Sequence, residues 1–308
     1  MTDGNWTNEN EAPVLQVSGL QYAYPSGLQA LGGIDMELRA GELIAIVGPS
    51  GCGKSTFLSM IAGLALPTGG EISWDEDQLP AEEHRRHLAM LFQRDTVFPW
   101  RTVEKNIQFG MECLNLPKDQ RHEWTDRLLE MGGLTAFRKS YPRALSGGMR
   151  RRVGLLTALA VRPSILLLDE PFAALAEPTR VEMLGDVLKL VYEYHVSVML
   201  VTHDLAEAIS IADRIIVLSN RPAIVDSVFG VTFGHSRDIV KLRETPEYAD
   251  IYSRLWHKLW SVIREGKRPP DALAAQAPGG APPPSPGVAD PTMVSPDLVN
   301  PGVEGPRQ

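Results

Sequence analysis

A glycine-rich loop between an apolar run and a helical pattern is the feature of this sequence that most restricts its fold. Residues 48–56 read GPSGCGKST, which fits the phosphate-binding pattern G-x-x-x-x-G-K-[ST]. The preceding run, Leu43–Val47, is typical of a buried parallel strand, and Ser55–Ala62 has a helical pattern. The glycines let backbone N–H groups point into the loop, and the helix N-terminus adds partial positive charge. The segment therefore predicts an α/β fold with a phosphate cradle.

Two side chains of this loop are suited to nucleotide chemistry. Lys54 can reach the β- and γ-phosphates, and the Ser55 hydroxyl can ligate Mg²⁺. Cys52 is interpreted as a small loop residue and not as a redox group. The candidate ATP-binding residues of the loop are Gly48, Pro49, Ser50, Gly51, Cys52, Gly53, Lys54, Ser55 and Thr56.

Charge and composition exclude several classes of protein. The net charge of −8 disfavours a nucleic-acid-binding surface. The two cysteines, Cys52 and Cys113, argue against a disulfide framework and for a reducing compartment. Residues 1–12 are polar and acidic, unlike a signal peptide. Because no apolar run approaches the roughly 18 residues that span a bilayer, we expect a soluble chain that reaches a membrane only through a partner.

Apolar runs and turn residues predict a βα core that is interrupted by a helical segment. The predicted strands are Val14–Leu20, Leu31–Leu38, Glu71–Trp74, Leu88–Phe92, Ile165–Leu168, Val196–Val201 and Ile215–Leu218. The predicted helices are Thr179–Tyr194 and Leu205–Ala212, and the pattern is helical from Val103 to Leu159. We interpret residues 13–245 as the main domain, with a helical subdomain at about residues 94–163.

The two ends of the chain differ from this core. Residues 1–12 are predicted to be flexible. The segment 246–266 contains a predicted helix, Pro246–Glu265, whose apolar and aromatic residues have helical spacing. We expect this helix to pack on its own domain, and a partner-binding helix is the alternative. Residues 267–308 are rich in proline, glycine and alanine and are predicted to be a disordered tail.

Two carboxylates follow the apolar run Ile165–Leu168. Asp169 and Glu170 would therefore lie at the carboxyl edge of a parallel sheet, where such folds bind their ligands. Asp169 is predicted to hold Mg²⁺ through water, and Glu170 to orient and polarise an attacking water. A solvated pair that caps the next helix is the alternative.

A second candidate anion site begins a later helix. Residues 145–149 read LSGGM, and a serine with two glycines at a helix start presents a hydroxyl and backbone N–H groups. Because one subunit does not need two γ-phosphate sites, we expect this tip to meet the nucleotide of another subunit. A plain helix cap is the alternative. The arginines at 150–152 are expected on a solvated face, with a phosphate or nucleic-acid patch as the alternative.

Together, these motifs resemble those of the ATP-binding subunits of ABC transporters over roughly residues 14–228. Residues 145–149 match the family's signature, with Met149 where glutamine is commonest. The resemblance implies that Gln93 contacts Mg²⁺ and water, that His203 contacts the γ-phosphate and that Tyr24 stacks on adenine. Tyr22 is the fallback for the aromatic residue. The residues that the resemblance implies act on a partner's nucleotide are Ser146, Gly147, Gly148 and Met149.

The resemblance also implies an architecture and an activity. The fold would be a RecA-like P-loop NTPase core with an antiparallel β subdomain and an inserted α-helical subdomain, so that residues 13–245 form an ABC ATPase domain. Two subunits, in the simplest case a homodimer, would clamp two MgATP. In-line attack by water, with Glu170 as base, would then drive an integral membrane permease. The subunit would be cytoplasmic and peripheral on the inner face of the cell membrane.

A finer resemblance concerns the solute. Phe92-Gln93, the segment VFPW at 97–100 and the segment SNRP at 219–222 look like the importer branch for nitrate, sulfonate, taurine and bicarbonate. This likeness implies an importer of a small anionic solute, with a permease and a solute-binding protein as partners. Trp100 would then lead into the region that contacts the permease. A place in the core of the helical subdomain is an equal alternative for Trp100.

The sequence departs from the family pattern at two positions. Where the family has a loop of the type Ser/Gly-Ala-Leu-Asp, residues 173–176 read AALA, so Ala176 replaces the aspartate. Glu177 follows, but a shifted carboxylate is not equivalent. Thr157 stands where the signature helix commonly has arginine. We expect slower or less cooperative hydrolysis, or pairing with a nonidentical subunit. An ATP-binding regulatory or scaffold protein, a non-transport ABC ATPase and a small-molecule kinase are the alternatives.

Overall fold

The structure is a computed structural model of the chain, and it describes residues 13–74, 88–94, 96–173, 175–234 and 237–266. The predictions for residues 1–12 and 267–308 lie outside these residues. Within the described ranges, none of the helices has the length and apolar content needed to cross a bilayer.

A six-stranded, mostly parallel sheet forms the centre of the fold. Its strands are β3 (Leu43–Val47), β5 (Leu88–Leu91), β6 (Ile165–Asp169), β7 (Ser197–Val201), β8 (Arg214–Leu218) and β9 (Val225–Gly230). Their order is β5-β6-β7-β3-β8-β9, and only β9 pairs antiparallel to its neighbour. The strands β3, β6 and β7 are buried along their whole length, which explains their continuous apolar sequences. Asp169 pairs with Val201, so the carboxyl ends of these strands meet at one edge.

A smaller antiparallel sheet lies beside the first. It consists of β1 (Leu15–Ala23), β2 (Gln29–Leu38) and β4 (Gly69–Trp74) in the order β2-β1-β4. The turn between β1 and β2 is closed by a hydrogen bond from Gly27 N–H to Tyr24 O of 2.8 Å. The apolar positions of both sheets share one buried cluster, which joins the smaller sheet to the core. The predicted antiparallel β subdomain is therefore confirmed.

Eight α-helices lie in the described part of the chain. They are α1 (Lys54–Ile61), α2 (Val103–Cys113), α3 (Lys118–Met131), α4 (Gly147–Leu159), α5 (Glu177–Tyr194), α6 (Leu205–Ile211), α7 (Ile239–Leu242) and α8 (Pro246–Glu265). Short 3₁₀ helices occur at Thr135–Phe137 and Pro142–Ala144. The helices α2, α3 and α4 lie within residues 94–163, where the helical insertion was predicted, and their apolar faces join the core on one side of the large sheet. The exact domain boundaries stay a prediction.

Local patterns gave most elements but not all of them. The strand β9 and the helix α7 have no counterpart in the sequence prediction. Both are short, and β9 has a mixed burial pattern without a clear alternation, so pairing with β8 decides its conformation. The predicted helix Ser55–Ala62 begins and ends one residue earlier, because Gly53 is its N-cap residue.

The C-terminal helix α8 packs on its own domain, as expected. It begins after Thr245, whose side chain accepts a hydrogen bond from Tyr248 N–H, and it ends at Glu265. Leu255 and Leu259 are buried in the main core. An aromatic face of the same helix stays exposed and consists of Tyr252, Trp256 and Trp260.

Candidate active site

The predicted motifs converge on one cavity at the carboxyl edge of the large sheet. Its volume is about 540 Å³. The residues that line it are Tyr24, Ala30, Ser50, Gly51, Gly53, Lys54, Ser55, Thr56, Gln93, Glu170, His203 and Arg221. Residues that are up to nearly 200 positions apart in the sequence thus line the same cavity. They meet there because β3, β6, β7 and β8 all have their carboxyl ends at this edge of the large sheet.

Backbone conformation explains the glycines of the phosphate-binding loop. Gly51 and Gly53 have φ values of +73° and +125°, a region that residues with a Cβ rarely adopt. A Cβ on Gly53 would also lie 2.9 Å from Leu31 Cδ2. Gly48 packs closely on the end of β8, and a Cβ on Gly48 would lie only 3.0 Å from Leu218 O. The loop is therefore shaped by its contacts with β2 and β8 as well as by its own sequence.

Lys54 is buried in this loop, with 6% of its surface exposed. Its Nζ donates hydrogen bonds to Gly48 O at 2.9 Å and Pro49 O at 3.0 Å. A buried ammonium without partners would be strongly unfavourable, and these carbonyls satisfy two of its three donors. The loop thus holds a positive charge next to the cavity. Pro49 and Gly48 do not line the cavity themselves, and neither does Cys52, whose thiol is buried.

The predicted metal ligands are adjacent. The Ser55 hydroxyl donates to Asp169 Oδ1 at 2.9 Å, which joins the start of α1 to the end of β6. Burial raises the pKa of the Asp169 carboxyl, and the hydrogen bond from Ser55 lowers it in part. Mg²⁺ prefers oxygen ligands and is commonly held by one or two carboxylates together with substrate phosphates. A hydroxyl, a carboxylate and the nearby Gln93 amide fit this ion.

Glu170 is the centre of a polar cluster. Its Oε2 accepts a hydrogen bond from Gln93 Nε2 at 3.0 Å and lies 3.3 Å from His203 Nδ1. The backbone of Glu170 has a φ of +44°, which is unusual for a residue with a side chain, and its N–H donates to Val201 O at 2.8 Å. The structure therefore brings the predicted catalytic residues together, and an atypical backbone conformation directs the carboxylate into the cavity.

The aromatic residue of the cavity is Tyr24 and not Tyr22. The Tyr24 hydroxyl lies 2.8 Å from Thr56 Oγ1, which fixes the side chain beside α1. Tyr22 contacts Tyr24 edge-to-face, with 5.1 Å between ring centroids, but does not line the cavity. An exposed aromatic ring at the rim is suited to stacking on a base.

The signature residues lie away from this cavity. Ser146 is the N-cap residue of α4, and its Oγ accepts a hydrogen bond from Met149 N–H at 3.2 Å. Ser146 and Gly147 are exposed, and residues 146–149 contribute nothing to the cavity wall. A Cβ on Gly148 would lie 2.9 Å from Thr179 Cγ2, so close packing against α5 favours glycine there. The helix tip both caps α4 and remains accessible.

The expectation of a solvated face at residues 150–152 is wrong for Arg151. This side chain is only 6% exposed. Its guanidinium donates to Pro171 O at 2.6 Å, Gln93 O at 3.2 Å and Glu170 O at 3.4 Å. Arg151 thus joins the loop after β5 to the loop after β6 and fixes the backbone at two predicted catalytic residues. The sequence of residues 150–152 does not reveal this role, because the three side chains are identical. Contacts with the two neighbouring loops decide which arginine is buried.

Arg221 is a second residue that the sequence analysis did not place in the site. The segment SNRP resembles an importer branch, and its Arg221 lines the cavity. Its Nε donates to the carbonyl oxygen of Gly51. Its position in the loop after β8, at the same sheet edge as the phosphate-binding loop, is the signal that could have identified it.

The loop before α5 has an alanine, Ala176, where the family pattern has an aspartate. Ala176 is the N-cap residue of α5 and is exposed, and it makes no side-chain hydrogen bond. The neighbouring carboxylate of Glu177 forms ion pairs with Arg180, at 3.2 Å, and with Arg243. Glu177 is therefore held by cations of its own chain.

Comparisons with known proteins identify the family. Residues 31–173 match the family model for the ABC transporter domain. The taurine import ATP-binding protein TauB of Roseobacter denitrificans is 34% identical over 251 residues, which are 80% of this chain and 93% of that protein. This chain belongs to the ABC transporter family. The ABC subunit is also 37% identical over 236 residues to the nitrate import ATP-binding protein NrtC of Synechococcus elongatus, which covers 75% of the subunit and 36% of that protein.

A solved structure supports the same identification. The dimeric post-hydrolysis state of the ATP-binding cassette MJ0796, bound to ADP and Pi, matches the ABC subunit with a TM-score of 0.63 and 29% identity. The match covers 71% of the ABC subunit and 100% of that chain. The predicted P-loop NTPase fold is confirmed. As an ABC cassette, the subunit is an ATPase whose hydrolysis is coupled to transport.

Proposed function

We propose that this chain energises an importer for a small anionic solute such as nitrate, bicarbonate, a sulfonate or taurine. The observation that carries the ATPase part is the position of Glu170, hydrogen-bonded to Gln93 and next to His203 at the wall of the cavity. The importer part is supported by the names of relatives, which are taurine, bicarbonate and nitrate import proteins.

The roles of the site residues follow from their positions. The loop 48–56 wraps the phosphates, and Lys54 neutralises part of their charge. Glu170 accepts a proton from the attacking water, while Gln93 and His203 hold the carboxylate and the γ-phosphate in place. Tyr24 stacks on adenine. This arrangement acts mainly by positioning and charge stabilisation, as phosphoryl transfer requires.

Mg²⁺ is the proposed metal of this site. Ser55 and Asp169 would hold it, the latter through water, and Gln93 would contribute its amide oxygen. When bound, Mg²⁺ neutralises charge that develops on the phosphates. The structure supports the choice through the adjacent hydroxyl and carboxylate of Ser55 and Asp169, which lie where the phosphate cradle ends.

A second copy of the subunit is the proposed partner at the nucleotide. Residues 146–149 are accessible but lie outside the cavity formed by their own chain, so they would bind the nucleotide held by the partner. The likeness to a dimeric cassette supports this arrangement. Whether both subunits are this chain is decided by measuring the mass of the ATP-bound, hydrolysis-deficient dimer.

The permease is the proposed membrane partner, and Trp100 is the proposed contact. Its side chain is 71% exposed, so the alternative of a core position is wrong. Its ring contacts the ring of Phe98, with 5.4 Å between the centroids. Through this contact the subunit would sit at the inner face of the cell membrane, and it would receive the signal of a solute-binding protein indirectly.

Replacing Trp100 with alanine is expected to reduce solute transport by about tenfold and to leave ATP binding by the isolated subunit unchanged. A single exposed aromatic anchor can dominate an interface, while its loss from a free surface changes stability by less than about 0.5 kcal/mol. Trp256→Ala is the matched control, since Trp256 is also exposed but lies on α8. Transport that falls equally in both variants would contradict the assignment.

An aspartate at position 176 is expected to stabilise the subunit and to accelerate hydrolysis several-fold in the full transporter. Ala176 caps α5 without a side-chain bond, and an aspartate there would accept a hydrogen bond and add about 1 kcal/mol of stability. Asparagine at the same position is the control, because it caps the helix equally well without the charge. Equal and unchanged ATPase rates for wild type, Ala176→Asp and Ala176→Asn would show that the missing carboxylate is unimportant.

Reconstitution tests the importer proposal directly. The subunit is co-purified with the permease encoded beside it, and ATPase activity is measured with the solute-binding protein and nitrate, bicarbonate, taurine or an alkanesulfonate. We expect one of these anions to stimulate hydrolysis and to be taken up. A subunit that hydrolyses ATP but responds to no anion would contradict the solute assignment, and a subunit that binds ATP without phosphate release would favour the scaffold alternative.

A further inference from the structure

The loop between β8 and β9 brings a second cation to the cavity. Arg221 lines the cavity wall together with Lys54, and its Nε donates to Gly51 O in the phosphate-binding loop. Among the residues that the structure describes, no carboxylate forms an ion pair with this guanidinium, and its Nη groups have no hydrogen-bond acceptor. A guanidinium without an anionic partner at the wall of a phosphate cavity is matched to an anionic ligand.

Contacts with β2 hold this loop in place. Ala223 N–H donates to Ala30 O at 2.9 Å, and Gly32 N–H donates to Ala223 O at 2.9 Å. Since Ala30 also lines the cavity, the loop is joined to the wall on the side of the antiparallel sheet. The backbone that carries Arg221 is therefore positioned by long-range hydrogen bonds and not by its own sequence alone.

Further contacts fix the other side of the loop. The Ser219 hydroxyl accepts a hydrogen bond from Ile224 N–H at 3.0 Å and closes the turn. The side-chain amide of Asn220 donates to Val262 O near the end of α8. A loop that is already ordered loses little further backbone entropy when its side chain binds a ligand.

The charges around the cavity favour a phosphate ligand for Arg221. Lys54 is committed to the carbonyls of Gly48 and Pro49, so it meets only part of the charge of a polyphosphate. The carboxylate on the cavity wall, Glu170, is engaged by Gln93 and His203 and does not pair with Arg221. A forked guanidinium can keep Nε on the loop and offer its Nη donors to phosphate oxygens.

We propose that Arg221 binds the polyphosphate chain of ATP as a second cation beside Lys54. The inference rests on the nucleotide site described under the proposed function. It adds to that site a residue from a loop outside the ordered motifs. With Arg221 on the phosphates, the loop 219–224 would connect the antiparallel sheet and α8 to the nucleotide.

Nucleotide affinities of Arg221→Gln and Arg221→Lys test the proposal. Titration calorimetry with Mg²⁺ is performed on the full chain with ATP, ADP and AMP at increasing salt. We expect Arg221→Gln to weaken ATP and ADP binding by about tenfold and AMP binding by less than about twofold, since AMP has no β-phosphate. The salt dependence of ATP affinity should fall, because one screened charge contact is lost. Arg221→Lys should lose less affinity and keep the salt dependence.

An arginine far from the cavity provides the control for this experiment. Arg127→Gln removes an exposed arginine of α3 that pairs with Glu123, and its affinities should match the wild type. Wild-type affinity in Arg221→Gln, or an equal loss for AMP and ATP, would overturn the inference alone. A wild-type chain that binds no ATP would overturn the nucleotide site as well. If Arg221→Gln does not fold, Arg221→Met, which keeps the aliphatic part of the side chain, takes its place: wild-type ATP affinity and salt dependence in that variant would overturn the proposal.

Discussion

Replacing Glu170 with glutamine is expected to lower the rate of ATP hydrolysis by at least about a hundredfold while ATP binding stays intact. A general base typically contributes 10²- to 10⁴-fold, and glutamine cannot accept the proton from water. The amide has nearly the same shape, so contacts with Gln93 and His203 can persist. Because the nucleotide is then bound but not consumed, a dimer with ATP should accumulate. Phosphate release and size-exclusion chromatography with multi-angle light scattering measure the two effects.

A matched carboxylate provides the control for this experiment. Glu182→Gln makes the same chemical change on α5, where the side chain is exposed and lies 3.8 Å from Arg152. Its hydrolysis rate should equal that of the wild type. A Glu170→Gln protein with a normal rate would refute the role of Glu170 as base. A protein that loses hydrolysis but stays monomeric with saturating MgATP would contradict the dimer.

Replacing Lys54 with alanine is expected to weaken ATP binding by about a hundredfold. Lys54 supplies a buried charge at the phosphate-binding loop, and charge-assisted hydrogen bonds of this kind are roughly twice as strong as neutral ones. The substitution also removes the donor that Gly48 O and Pro49 O share. We therefore expect a lower melting temperature in addition, so affinity is measured by titration well below the transition.

Two further variants separate the loss of ATP affinity from the loss of protein stability. Lys241→Ala removes a lysine of α7 whose side chain is 83% exposed, and it should change neither affinity nor stability. Lys54→Arg keeps the charge but not the shape of the ammonium, and it should recover stability more than affinity. Unchanged ATP affinity in a folded Lys54→Ala protein would refute the assignment of the loop.

The sequence was sufficient for the parts of the site that obey local rules. The strand, loop and helix around residues 43–62 follow from apolar runs, from glycines that adopt positive φ and from a helix start. The carboxylates after β6 and the serine cap of α4 are likewise short patterns with local physical causes. The helix Pro246–Glu265 has its predicted bounds, because a threonine cap and a proline in the first turn mark its start.

The parts that depend on contacts between distant residues could not be predicted in this way. Arg151 and its neighbours in the run 150–152 are chemically identical, and only packing against two loops shows which one is buried. Arg221 follows β8, and its place beside Gly51 depends on β8 lying next to β3 in the sheet. The strand β9 forms because β8 offers it an edge.

For this protein, the sequence by itself determined the order of the motifs, the kind of ligand each one suits and the class of fold. Those features are encoded over a few residues, where backbone conformation and side-chain chemistry act locally. The tertiary structure decided that Gln93, Glu170 and His203 meet, that Tyr24 and not Tyr22 lines the cavity, and that the signature lies outside it. The physical reason is that strand order and packing bring distant segments together, and no local pattern specifies those neighbours.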